Sequence, residues 1–401
     1  MNAHIQKLYT IAQKPERTII GLMSGTSMDG LDVALCTFRG EGGQTQVTVR
    51  EFRTVDFTEE IKAEIRTVFA KRTIDFQHLC VLNPWIGNLH GRLVLDCLES
   101  WGIAPAEVDV IASHGQTVFH APRILHGLDQ FPNATLQIGD GDHVAVTTGI
   151  ITLSDFRQKH CAAGGEGAPL AVYGDYLIFS EAGENRILLN LGGIANFTFL
   201  PANLNADEVF ATDTGTGNTL LDAYTRQKFN KAYDTDAALA RRGTIHEPLL
   251  AALKQDPFFE KPFPKTTGPE LFSLAYLEAA QQQIQRTDLS PEDVLATLTR
   301  FSAETIAEAV HRSLKSRDTT QPWVLYASGG GMHNPLLWQY IQELLPEMTL
   351  RRTDELGISG DAKEAVLFAT LANEALVGGK THFGNRQGVP SVSMGKISFP
   401  N

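Results

Sequence analysis

The stretch G-L-M-S-G-T-S-M-D-G-L-D-V-A-L, from Gly21 to Leu35, decides the fold. It reads as two short apolar strands joined by a small polar turn. Ser24, Gly25, Thr26 and Ser27 stand together in that turn, and two carboxylates, Asp29 and Asp32, follow. A plain hairpin needs only two turn residues. This one carries more polar chemistry than reversing the chain requires. A second strand–small turn–strand, R-I-L-L-N-L-G-G-I-A-N-F-T-F-L, runs from Arg186 to Leu200. Each half of the chain therefore opens with a hairpin whose turn holds glycine and a small polar residue.

Working outward, strand-like and helix-like segments alternate, which predicts an α/β protein. Strands are expected over residues 19–24, 31–38 and 47–55, in V-D-V-I-A-S-H ending at His114, and in T-L-Q-I-G. Helices are expected over 59–70, 84–101, 303–314 and 363–376. The last of these is apolar on nearly every side, the mark of a helix buried on several faces. With 401 residues the chain exceeds the size at which one core stops growing, about 250–300 residues. Two lobes are expected, 17–180 and 181–401.

Composition narrows the function. Hydrophobic residues make up 43% and charged residues 20%, as in a folded protein rather than a disordered one. The net charge of −12 argues against nucleic acid and anionic membranes as partners. The four cysteines form no C-x-x-C pair, so reduced thiols in a cytoplasmic protein are expected rather than a zinc site or disulfide framework. No secretory signal and no membrane-spanning apolar run is seen. The sequons at Asn133 and Asn196 are read as chance.

Four glycine-rich turns each follow an apolar strand: S-G-T-S, L-G-G-I-A-N, D-T-G-T-G-N and S-G-G-G-M-H-N. Glycine lets backbone N–H groups approach a ligand, and successive free N–H groups bind phosphate. One such turn means little. Four, spread over both halves, point to a polyphosphate. The P-loop, protein-kinase and Rossmann signatures are all missing. Asp213 ends a strand just before Gly215 and Gly217. It reads either as a turn or N-cap aspartate or as a general base facing phosphate. His114 is a structural histidine or a substrate contact. Asp155 and Arg157 form a local ion pair or hold a substrate. Glu364 is a first-turn carboxylate favoured by the helix dipole or a Mg²⁺ contact.

The chain resembles the anhydro-N-acetylmuramic acid kinases and the related levoglucosan kinases. The matching segments are G-L-M-S-G-T-S-M-D-G-L-D, A-S-H-G-Q-T, D-F-R, A-A-G-G-E-G-A-P-L, N-L-G-G-I-A-N, D-T-G-T-G-N, K-T-T-G-P-E, G-G-G-M-H-N-P and A-K-E-A-V-L-F-A. The resemblance implies the two-domain sugar kinase/Hsp70/actin (ribonuclease H-like) fold with an interdomain active-site cleft, ATP and Mg²⁺ as cofactors, and a homodimer. It implies that water attacks C1 of a 1,6-anhydro sugar while O6 takes the γ-phosphate. Asp213 matches the catalytic base, and Glu364 with Asp213 the metal site. Thr26, Asp29, His114, Arg157 and Gly165 match positions near the sugar. ATP contacts are expected from Ser24, Gly25, Thr26, Ser27, Gly30 and Asp32, though Asp32 also reads as a residue that only fixes the second strand. In the second half they are expected from Gly192, Gly193, Asn196, Gly215, Gly217 and Asn218, and from Gly329, Gly330, Gly331 and Asn334.

The chain departs from the pattern in places. Met23 stands where the wider superfamily often has a metal-holding aspartate. Thr216 replaces the usual proline between glycines, the tail is short, and the segment before Arg17 has no counterpart. Two alternatives are weighed: a kinase acting on another 1,6-anhydro sugar such as levoglucosan, and a non-catalytic, chaperone-like nucleotide switch of the same fold.

Overall fold

Strand β1 (Arg17–Ser24) pairs antiparallel with β2 (Gly30–Arg39), and β2 with β3 (Gln46–Asp56). The computed structural model that shows this describes residues 1–315, 320–379, 383 and 388–401. On its other side β1 pairs parallel with β4 (Val110–Ala121), whose far half pairs antiparallel with β5 (Ala134–Ile138). Strand β6 (Ile151–Ser154) pairs parallel with β4, and the C-terminal strand Lys396–Ser398 closes that edge. Three antiparallel strands are thus followed by two parallel ones, in the order β3-β2-β1-β4-β6 with β5 set aside on the far half of β4, so these five strands run three-two-one-four-five in chain order.

The second half repeats this order. Strands β7 (Asn185–Leu191), β8 (Ile194–Leu200) and β9 (Phe210–Thr216) form the antiparallel part. Strands β10 (Trp323–Ser328) and β11 (Thr349–Arg352) add in parallel beyond β7. The likeness of the two opening hairpins therefore extends to the connectivity of two whole sheets. Parallel crossovers need a long connection, usually helical. The helices Phe76–Trp101 and Pro291–Leu314 supply it between the third and fourth strands of each sheet.

The chain forms two compact units, Met1–Ser180 together with Gly357–Asn401, and Glu181–Leu356. This corrects the expected division into 17–180 and 181–401. The helix Lys363–Leu376 packs on β1, β2, β4 and the helix Ala171–Phe179, so the C-terminal segment belongs to the first unit. Its backbone comes so close to the sheet that a Cβ on Gly21 would lie 1.9 Å from the Ala365 carbonyl oxygen. Only glycine permits that approach. The first unit also takes in the helix Ala3–Ala12, ahead of the expected start at residue 17.

Two helices begin earlier than expected. The helix Phe76–Trp101 starts at an Asp75 cap and carries Pro84, its expected opening, inside it. The helix Pro291–Leu314 starts at Ser290, which caps Asp293 N–H. The S-P-E-D run is a readable start signal that the apolar stripe further along had obscured.

Candidate active site

In the first unit, the turn after β1 is held from β4. Ser24 Oγ donates to Gln116 Oε1 at 2.6 Å and lies 3.0 Å from the Gly30 carbonyl, while Gln116 Nε2 donates to the Gly25 carbonyl at 2.8 Å. The Ser24 hydroxyl is buried and engaged within the protein, so it is not a phosphate donor in this arrangement. The left-handed residue of the turn is Met28, φ 58°, rather than Gly25. Thr26, Ser27 and Asp29 are exposed, and their side chains are available to a ligand. Asp32 accepts from the Thr54 hydroxyl at 2.6 Å across the β2–β3 pair. Burial raises its carboxyl above the ordinary value, against the pull of that hydrogen bond. The strand-fixing reading of Asp32 fits this geometry better than a contact to ATP.

His114 sits on β4, buried, with its ring 4.7 Å from that of Phe368. Arg157 Nε donates to His114 Nε2 at 2.7 Å, and Arg157 Nη1 donates to the Gly167 carbonyl at 2.8 Å. An arginine nitrogen can only donate, so Nε2 is the acceptor and the proton stands on Nδ1. That Nδ1–H faces the Gly115 carbonyl at 2.8 Å and the Ser24 carbonyl at 3.2 Å. Burial, and then the Arg157 charge, push the imidazole down to about 3. It is neutral, and both nitrogens bond inside the protein. His114 therefore links the β1 turn to Arg157 rather than offering a free nitrogen to a sugar.

Of the two readings of Asp155 and Arg157, the local ion pair is not found among the described residues. Asp155 bonds Lys396 Nζ at 2.8 Å, while burial pulls the Arg157 guanidinium below its ordinary value and the Glu364 charge acts against that fall. Crowding by the surrounding protein pushes the Glu364 carboxyl up more strongly than the Arg157 charge pulls it down, and Asp32 adds to the rise. At Gly165 a Cβ would lie 2.2 Å from the His160 ring, so close packing demands the glycine there. Beside these residues a cavity of about 680 Å³ is lined by Ser113, His114, Gly139, Asp155, Gln158 and Lys396. That is within the usual range for a small-molecule site, roughly 300–1,000 Å³. Ser113 Oγ, buried in its wall, has no hydrogen-bond partner among the described residues.

In the second unit, three glycine turns converge. Gly193 O accepts from Gly217 N–H at 2.8 Å, and Gly192 O accepts from Asn218 N–H at 2.9 Å. A Cβ on Gly217 would meet the Gly192 carbonyl oxygen at 2.4 Å, and one on Gly329 would meet the Leu191 carbonyl oxygen at 2.8 Å. Gly331 packs on Leu191 and near Asn218 Nδ2, while Gly330 faces open space. Asn334 caps the helix Pro335–Leu344, so its Oδ1 is engaged with the Leu336 and Leu337 N–H groups. Asp213 lies opposite Asn196 in the β8–β9 ladder, and Gly215, φ 145°, follows it in the strand.

Asp213 is held by a segment the sequence reading left without a role. Its Oδ2 accepts from Thr267 N–H at 2.8 Å, and its own N–H donates to the Lys265 carbonyl at 2.9 Å. Among the described residues nothing bonds Oδ1. Burial raises the carboxyl and the Thr267 bond lowers it, with burial the larger. An aspartate that is oriented on one oxygen, open on the other and more basic than usual is suited to taking a proton. Gln116 and Thr267 were both missed as individual residues, yet each lies inside a quoted motif, A-S-H-G-Q-T and K-T-T-G-P-E.

The twice-repeated three-two-one-four-five sheet, with its hairpin turns and converging glycines, defines a two-domain protein of the sugar kinase/Hsp70/actin class. Residues 17–391 match the family model described as anhydro-N-acetylmuramic acid kinase. An anhydro-N-acetylmuramic acid kinase of Pseudoalteromonas atlantica is 57% identical over 404 residues, covering 100% of both chains. The same-named protein of Pseudoalteromonas translucida is 55% identical, again over 100% of both. That of Caldanaerobacter subterraneus is 36% identical over 98% of this chain and 100% of its own. This chain belongs to the anhydro-N-acetylmuramic acid kinase family. The segment before Arg17 lies outside the family model but inside the alignment to both Pseudoalteromonas proteins.

Proposed function

We propose that this protein uses ATP and water to convert 1,6-anhydro-N-acetylmuramic acid into N-acetylmuramic acid 6-phosphate and ADP, in the recycling of cell-wall sugar. Water attacks C1, the C1–O6 bond breaks, and O6 takes the γ-phosphoryl group. Asp213 accepts the proton that the water loses. The observation that carries this reading is the Asp213 carboxylate, aimed by Thr267 N–H beside the converged glycine turns. The exposed Thr26 and Ser27 serve the phosphates, and Gly192, Gly193, Gly215, Gly217 and Gly329–Gly331 let the backbone reach the nucleotide. Arg157 and Asp29 serve the sugar, with the 680 Å³ cavity beside His114 as room for its substituents.

Among the described residues no group of three or more His, Cys, Asp or Glu side chains is placed to hold a metal. Mg²⁺ keeps several waters and binds through one or two carboxylates plus substrate phosphates. Asp213 and Glu364 are the carboxylates that would hold it, and its charge would offset that of the phosphates.

The homodimer reading draws support from the first unit's exposed apolar side chains, among them Phe76, Trp85, Ile124, Leu125 and Phe131. In the second unit, among the described residues, only Tyr233 is a large apolar side chain of that exposure. Exposed apolar side chains mark an interaction site where they join into one large patch, and the oligomeric state in solution tests the homodimer. A cytoplasmic location suits the free cysteines, of which Cys36, Cys97 and Cys161 are buried. Among the described residues no helix is long and apolar enough to cross a membrane.

Turnover of the anhydromuramate and of levoglucosan with ATP and Mg²⁺, followed by ADP release, tests the substrate. A kcat/KM that favours levoglucosan would overturn the assignment. Turnover in ¹⁸O-water should place the label on C1 of the product and none in its phosphate.

A further inference from the structure

The Lys265 side chain is a buried cation, only 6% exposed. Its Nζ lies 4.2 Å from the centre of the Phe258 ring, 5.6 Å from Phe263 and 5.7 Å from Phe259. Two of its protons go to main-chain carbonyls, of Phe258 at 3.0 Å and Phe259 at 3.1 Å. No carboxylate pairs with it among the described residues. Burying an ammonium without a counter-ion is costly, and a methionine would fill the same space without that cost. What the charge adds is geometry: two carbonyls drawn to one point, and three rings around it.

The backbone of the same residue grips β9. Lys265 N–H donates to Thr212 Oγ1 at 3.0 Å, and the Lys265 carbonyl accepts from Asp213 N–H at 2.9 Å. Two residues on, Thr267 N–H reaches Asp213 Oδ2. Arg312 braces the same loop by donating to the carbonyls of Phe259 and Lys261, its guanidinium 4.9 Å from the Phe263 ring. We infer that Lys265 is a positioning residue for phosphoryl transfer: its caged ammonium fixes the 258–267 segment so that Thr267 N–H aims the Asp213 carboxylate. This rests on the reading of Asp213 as the base.

The role predicts an effect on the chemical step rather than on binding. Misplacing a reacting group by about 1 Å can cost on the order of 10²-fold in rate. The test measures kcat, and KM for ATP and for 1,6-anhydro-N-acetylmuramic acid, on full-length K265M, K265R, D213N and the double variant K265M/D213N. Circular dichroism and Tm check folding. Folded K265M should lose on the order of 10²-fold in kcat with both KM values within about twofold. K265R keeps the charge but is longer and planar, so it should recover part of that loss and not all of it. In the D213N background, K265M should have no further effect, since it acts through the carboxylate.

Wild-type kcat in folded K265M, or a loss that appears equally in KM, would overturn the inference while leaving Asp213 in place. A D213N variant that keeps its kcat would overturn the reading of Asp213 and the inference with it. Where K265M does not fold, Phe258→Leu decides, because it keeps most of the volume and removes the nearest ring face. It should lower kcat several-fold with KM unchanged, and an unchanged kcat would sink the proposal.

Discussion

Arg157 Nε donates to His114 Nε2 across 2.7 Å, and that one contact sets the state of the histidine. The proton must stand on Nδ1, where it reaches the carbonyls that shape the β1 turn. A residue two strands away from the turn thereby helps define it. The ring, pushed down to about 3 by burial and by the arginine, should not titrate in the working range. In ¹⁵N NMR of the full protein, His114 should show one protonated and one bare nitrogen, unchanged from pH 5 to 8. A midpoint inside that range would contradict the assignment.

Asp213→Asn keeps the shape and removes the base. Turnover should fall by at least 10²–10⁴-fold, the usual contribution of a positioned proton acceptor, while ATP affinity measured by calorimetry stays nearly constant. Substantial residual turnover would count against the role.

The glycine junction of the second unit should be intolerant of a single methyl. Gly217→Ala would drive a Cβ to 2.4 Å from the Gly192 carbonyl oxygen, so the two turns must part. The KM for ATP should rise by on the order of tenfold or more, about 1.4 kcal/mol for each factor of ten. The KM for the sugar should change little. Equal effects on both substrates would point to general unfolding instead.

Asp32 and Thr26 separate the two jobs of the first hairpin. Asp32→Asn can still accept from the Thr54 hydroxyl, so its KM for ATP should stay within about twofold. Thr26→Ala removes an exposed hydroxyl from the turn and should raise that KM several-fold. The reverse ranking would make Asp32 the nucleotide contact.

Stability should fall with acid through buried histidines. His90 is fully buried, with both ring nitrogens unpartnered among the described residues, and burial lowers its pKa to about 4. Its folded value lies below the unfolded value of about 6.5, so the unfolded chain binds the proton more tightly. Stability from this group is complete above the unfolded value and is lost as pH falls from about 6.5 toward about 4. The loss at pH 5 is on the order of 2 kcal/mol. His160, also held near 4, and His114 act in the same direction. His90→Leu should therefore raise Tm more at pH 5 than at pH 8. A pH-independent change would place the acid sensitivity elsewhere.

Much of the fold was legible because it is written in short-range periodicity. The apolar runs Ile19–Leu22 and Leu31–Leu35 on either side of a polar turn mark a hairpin wherever they stand in a chain, and the same pattern at Arg186–Leu200 marks the second unit. Asp213, Gly215 and Gly217 stand out in the sequence as candidates because a carboxylate and two glycines follow one apolar strand within five residues. Gln116, Lys265 and Thr267 were not, since their roles depend on partners far away in sequence. Ser24 and His114 looked like ligand contacts until the groups that occupy them were seen.

The sequence by itself determined the family, the twofold α/β plan and the four glycine turns, because these rest on local backbone preferences and on patterns that repeat along the chain. Only the tertiary structure decided to which unit the helix Lys363–Leu376 belongs, which nitrogen of His114 carries the proton, and what aims Asp213. Each of those is a contact across tens to hundreds of residues. A helix apolar on all sides will pack on any sheet that offers a close approach, and here the bare backbone of Gly21 offers one. A hydrogen bond likewise takes its direction from both partners, and the chain order names only one of them at a time.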